Sequence, residues 1–126
     1  MGCFYTGFDY KNRKNGYWKI GETSRKTPAQ RLAEIRNGDC FQCLGYLILH
    51  DETTAERRLV ESMVRVKMER AGFQQVQNDH FVYQIEAGKK YEQAAEIAEI
   101  VMHWAMAACD YIGINYEIGT KQYKRG

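Results

Sequence analysis

Gly16-Tyr17-Trp18-Lys19-Ile20-Gly21-Glu22-Thr23 is the stretch whose reading decides the fold. It is an aromatic and β-branched run bounded by glycines, with polar turn residues before it and Thr27-Pro28 opening a helical pattern after it. Such a run reads as a buried central strand. Lys19 does not fit that reading, because a charge between Trp18 and Ile20 is costly to bury without a partner or a task.

Working outward, Cys3 to Phe8 is rich in β-formers, and Asp9 to Gly16 is a charged, asparagine-containing loop. Together with Tyr17–Gly21 they predict an antiparallel hairpin near the start of the chain. Downstream, Thr27 suits an N-cap and Pro28 the first helical turn, predicting a helix through Ala29 to Arg36 that buries Ala29, Leu32 and Ile35. Asn37-Gly38-Asp39 stops it. Phe41 to His50 is apolar enough for a third strand buried on both sides.

Asp51 to Thr54 caps a longer helix, about Thr54 to Ala71. At 100° per residue, Ala55, Leu59, Val60, Met63, Val64, Val66 and Ala71 fall in one apolar sector. Glu56 lies near its middle, whereas Glu61 points well away. A carboxylate centred on an apolar face is paired, protonated or bound to a metal. Gly72 ends this helix, Gln74 to Asp79 is a polar loop, and His80 to Ile85 is a candidate short edge strand. A third helix runs from Glu92 to about Cys109, and its second half is apolar almost all round. That end is buried on several sides or covered by another subunit, with His103 a packing residue within it. The tail from Asp110 to Gly126 leaves two readings open, a loose arm or an added hairpin.

The 126 residues suit one compact domain with a real core. No signal peptide or long apolar span is visible, which predicts a cytoplasmic protein with no membrane association. A net charge of +2 does not point to nucleic acid, but its distribution does. Residues 11–36 hold eight lysines and arginines against Glu22 and Glu34, a patch able to meet a phosphate backbone. Four scattered cysteines exclude a disulfide framework. Cys40-Phe41-Gln42-Cys43 has the spacing of a zinc or redox pair, but no second pair or nearby histidine completes a ligand set. These read as buried structural thiols.

The order is now strand, strand with Gly21, helix with Arg31, strand, helix with Glu56. With those residue types, the chain resembles the GIY-YIG nuclease superfamily, in the branch common in phages whose second motif reads K-I-G-x-T. Lys19-Ile20-Gly21-Glu22-Thr23 is that motif here, and Gly2-Cys3-Phe4-Tyr5 resembles the first one. Arg31-Leu32 matches the Arg-Leu of the family's first helix, Glu56 the glutamate of its second, and Asp79-His80-Phe81 its closing strand. The likeness spans residues 2–84. Tyr111-Ile112-Gly113 follows the last helix and is set aside as coincidence.

The resemblance implies an endonuclease that hydrolyses phosphodiester bonds in DNA by a single-metal mechanism, with RNA the alternative substrate. Glu56 would hold Mg²⁺, for which Mn²⁺ can substitute, since a hard cation accepts one carboxylate plus waters and the phosphate. Arg31 would grip the scissile phosphate with its planar fork. Tyr5 would stand beside the attacking water as general base or orienter. Lys19 takes the place of the more usual second tyrosine, and would act on a neighbouring phenol or on the phosphate itself. Phe4 is the alternative to Tyr5, and Tyr17 can substitute for a missing aromatic hydroxyl. Ile35 stands where many relatives carry His or Tyr, and Asn78 is the candidate for an asparagine near the last strand.

The expected fold is α/β (α+β): a three-stranded antiparallel sheet, with a fourth edge strand as an option, flanked by helices. Residues 1–86 form the catalytic domain, and 87–126 a helix and tail packed on it or used for homodimerisation. The rival function is a catalytically degenerate nucleic-acid-binding or regulatory protein on the same scaffold.

Overall fold

A computed structural model of the chain describes residues 1–9, 17–34, 41–77, 80–82 and 90–119. β1 (Gly2–Asp9) runs antiparallel between β2 (Tyr17–Thr23) and β3 (Phe41–His50). Tyr5 faces Gly21 across one seam and Tyr46 across the other. The expected three-stranded core is present, and β5 (His80–Val82) joins β2 as the fourth strand. Two more strands complete one sheet in the order β4-β5-β2-β1-β3-β6. β4 (Gln75–Gln77) lies in the stretch expected as a polar loop, because Gln-Val-Gln gives three residues no apolar pattern to read. β6 (Asn115–Ile118) pairs with β3, so this part of the tail is a strand rather than an arm.

The sheet has helices on both faces. α1 (Pro28–Glu34) begins at the proline, as its sequence dictates, and buries Pro28 and Leu32. Ile35 and the Asn37-Gly38-Asp39 stop lie outside the described residues, as do Cys40, Asn78 and Asp79. α2 (Thr54–Arg70) is capped by Thr53 and ends at Gly72, whose φ of 96° a glycine adopts without strain. α3 (Lys90–Ile112) is longer at both ends than expected. α2 and α3 pack on the face formed by Phe4, Trp18, Ile20, Leu47 and Leu49. α1 packs on the other, with Cys3, Tyr5, Phe41, Cys43 and Tyr46. Among the described residues no helix is long and apolar enough to cross a membrane.

The orientation of α2 corrects its sequence reading. Its buried residues are Arg57, Val60, Val64 and Met68, whereas Ala55, Leu59, Val66 and Ala71 are exposed. Glu56 therefore lies about 100° around the helix from the inward direction of Arg57 and not at the centre of a buried sector. Glu61 leans inward, its side chain 16% exposed and paired with Arg65 at 3.1 Å. Apolar counting fails because an arginine occupies the inward position. Arg57 is accommodated by donating from Nε to Glu22 and from Nη1 to Glu52, each at 2.9 Å, and from Nη2 to Thr54 at 3.2 Å. Glu52 also accepts the amide of Gly2 at 2.7 Å. The triad thus ties the start of β1, the end of β2 and the first turn of α2 together.

Candidate nucleic-acid interface

Alternation along β2 puts Trp18 and Ile20 into the core beneath α2 and α3, and Tyr17, Lys19 and Gly21 on the opposite face. This answers the anomaly of Lys19: it points away from the core that its neighbours fill. Its backbone is fixed from two sides. The Lys19 carbonyl accepts from Thr6 Oγ1 at 3.1 Å, and the same Thr6 oxygen accepts from Trp18 Nε1 at 2.8 Å. On its other edge Lys19 pairs with His80 of β5.

Phe41 organises this face. The Lys19 ammonium lies 5.9 Å from the centre of its ring, within cation–π reach. The Tyr5 ring meets it edge-on, with centroids 5.7 Å apart and planes at 68°. Leu32 of α1 packs into the same cluster, which brings the adjacent, half-buried Arg31 to this side of the sheet. Arg25, in the loop after β2, clamps the end of α1 through two bonds to Glu34 at 3.0 and 2.7 Å. The Arg25 hydrogen bond holds the Glu34 carboxyl below its usual range, and the charge of Arg31 adds to the effect.

Tyr5, Tyr17, Lys19 and Arg31 therefore share one face. Tyr5 is only 3% exposed, whereas Tyr17, Lys19 and Arg31 are half-buried and reach solvent. Phe4, the alternative to Tyr5, faces the other core. Gly119, just after β6, lies against the Tyr46 ring on the Tyr5 side. The basic residues that follow it, Lys121, Lys124 and Arg125, are outside the described residues.

Glu56 is not brought to this face. It sits on a helix packed against the opposite one, and it completes a capping box: its Oε1 accepts the Thr53 amide at 2.8 Å while its own amide donates to Thr53 Oγ1 at 3.1 Å. Glu56 Oε1 is thus committed to the helix cap, on a helix that packs across the sheet from Lys19. Among the described residues no group of three or more His, Cys, Asp or Glu side chains could hold a metal ion. The cysteines are structural where described. Cys3, Cys43 and Cys109 are buried and free, and burial first, then the neighbouring Cys43, pushes the Cys3 thiol up to about 12. His103 is exposed, not packed.

The sequence gives no role to Phe41 beyond the start of a strand or to Arg57, and the misplaced apolar sector turns Glu61 outward. Only register could have found Phe41, and only the inward arginine could have corrected the helix. Comparison with protein-family models, with curated proteins and with solved structures finds no match to this chain.

Proposed function

We propose that the Tyr5 face handles the phosphodiester backbone of DNA, and that the chain is an endonuclease acting there. The observation that supports this most directly is the meeting of Lys19 and Tyr5 on the Phe41 ring, on the face where the Arg31 helix docks. Two cations of different geometry then lie on one side of the sheet. Arg31 offers a planar fork to two non-bridging oxygens, and Lys19 a compact point charge. In hydrolysis a water oxygen bonds to phosphorus, the bond to the leaving oxygen breaks, and the water's proton ends on the leaving group. Charge builds on the non-bridging oxygens during this step, and Arg31 and Lys19 counter it.

The hydroxyl that orients the water is better supplied by Tyr17 than by Tyr5. Tyr17 reaches solvent and stands two residues from Lys19 on the same strand face, whereas Tyr5 is covered. Tyr5 then serves as the buried support that fixes Phe41. A divalent ion such as Mg²⁺ would supply charge neutralisation and an activated water when bound. No step here depends on it.

A second reading, a nucleic-acid-binding protein without catalysis, is favoured by one observation: the carboxylate expected to hold the metal is committed to a helix cap. Plasmid and oligonucleotide nicking with Mg²⁺ or Mn²⁺ separates the two. Cleavage by wild type that is lost in Arg31→Ala supports the enzyme. Salt-dependent binding with no cleavage under either ion selects the binder.

A further inference from the structure

α2 and α3 leave between their outer surfaces an apolar groove of about 430 Å³. Met63, Val66, Trp104, Ala108 and Tyr111 line it, with Lys67 the one charge among the described residues there. The apolar strip continues past the groove on both helices, through exposed Leu59 and Ile100. Tyr111 at the edge is 83% exposed, a large aromatic held out from a rigid helix. Spacings of i, i+4, i+7 (Leu59, Met63, Val66) and i, i+4, i+8, i+11 (Ile100, Trp104, Ala108, Tyr111) make each half a continuous stripe. A stripe of this kind marks an interaction surface.

Charge identifies the occupant. The exposed charged residues of α2 are Arg58, Lys67, Glu69 and Arg70, three positive and one negative. Those of α3, among the described side chains, are Glu96, Glu99 and Asp110, all negative. Of the two helices that border the strip, α2 is basic on balance and α3 acidic, with Lys67 in the groove itself, so the surface complements itself. Nucleic acid would meet the acidic side with repulsion and find no use for the apolar strip.

We infer that this face binds a second copy of the chain, related by a two-fold axis along the groove. That axis lays each α2 on the partner's α3, so the basic side of each copy meets the acidic side of the other. Each Tyr111 enters the groove of the opposite copy. The sheet face carrying Lys19 and Arg31 stays open, since it lies across the sheet from both helices.

Sedimentation velocity and light scattering on the full chain, over low to high micromolar concentration, test this. Wild type is expected to dimerise, and Val66→Asp and Tyr111→Asp, both at exposed positions that leave the fold intact by circular dichroism, to be monomeric. Two charge variants then identify the occupant. One carries Glu96→Lys, Glu99→Lys and Asp110→Lys; the other carries Arg58→Glu, Lys67→Glu and Arg70→Glu. Each alone should associate at least about tenfold more weakly than wild type, and their mixture should recover a heterodimer. A wild type that stays monomeric, including one that instead takes up an amphipathic peptide, overturns the inference. So does a folded Tyr111→Asp that still dimerises, or a mixture that does not pair.

Discussion

Tyr5 lies across Gly21 so closely that a β-carbon on the glycine would stand 2.5 Å from Cζ of the tyrosine ring. The two residues are direct partners in the β1/β2 ladder, so neither can move aside without shifting the register. Gly21→Ala is therefore expected to destabilise the fold by about 1–3 kcal/mol through overpacking. Removing the ring should relieve this, so Gly21→Ala combined with Tyr5→Ala should cost less than the two changes summed. Urea unfolding of the four proteins measures the coupling, and strictly additive losses would contradict the packing described.

The Arg57 triad sets a pH dependence. Burial pushes the Glu52 carboxyl up, and its Oε2 is buried with no hydrogen bond among the described residues. Backbone hydrogen bonds at Glu52, the Arg57 side chain and the Gly2 amide outweigh burial and leave the carboxyl below its usual 4.5. A pKa lowered on folding contributes stability that is present above the unfolded value and lost as pH falls through the folded one. The stability gap between wild type and Glu52→Gln should therefore be widest near neutrality and close as pH falls below the unfolded 4.5 and through the lower folded value. A gap that does not change with pH would contradict the ion pairing.

Removing the other partner is expected to be harsher. Arg57→Ala removes the cation that Glu52 and Glu22 share and leaves Glu22 only the more distant Arg58 at 4.0 Å, at a cost of about 3–5 kcal/mol. Denaturant midpoints measure this, and a loss under about 1 kcal/mol would mean the triad is solvent-screened like a surface pair.

Glu56 is a cap and is expected to behave as one. Glu56→Ala should cost roughly 1 kcal/mol or less, with the loss confined to the first turn of α2. Amide exchange at residues 54–57 would report the fraying. Unchanged exchange there would contradict the capping role.

Much of the fold could be read from residue patterns, and the reason is local chemistry. Thr27-Pro28, Thr53 and Gly72 act within one turn of chain, and the alternation around Lys19 needs no knowledge of partners. The apolar pattern misorients α2 because its inward position is an arginine, whose acceptability depends on Glu22 and Glu52. The sequence gives no sign of β4 and leaves β6 open between arm and hairpin, because short edge strands take their stability from the neighbour they pair with rather than from their own residues. The candidate site divides in the same way. Lys19 stands out in the sequence as a charge in an apolar run, and the resemblance alone points to Tyr17, while the pairing of Tyr5 and Lys19 through Phe41 needs the register of β3.

If Lys19 meets phosphate, Lys19→Ala should weaken DNA binding to a similar degree whatever the sequence. It should also reduce the slope of log affinity against log salt by about one. Fluorescence anisotropy over a salt series measures the slope, and an unchanged slope would remove Lys19 from the interface.

The central claim is that the face carrying Tyr17, Lys19 and Arg31 acts on the phosphodiester backbone. Nicking of supercoiled plasmid in the presence of Mg²⁺ or Mn²⁺, by wild type, Lys19→Ala, Arg31→Ala and Glu56→Gln, tests it most directly. The account predicts cleavage by wild type, a fall of about a hundredfold or more in Lys19→Ala and Arg31→Ala, and near-wild-type cleavage by Glu56→Gln. Equal activity in all four proteins would contradict it, as would loss confined to Glu56→Gln.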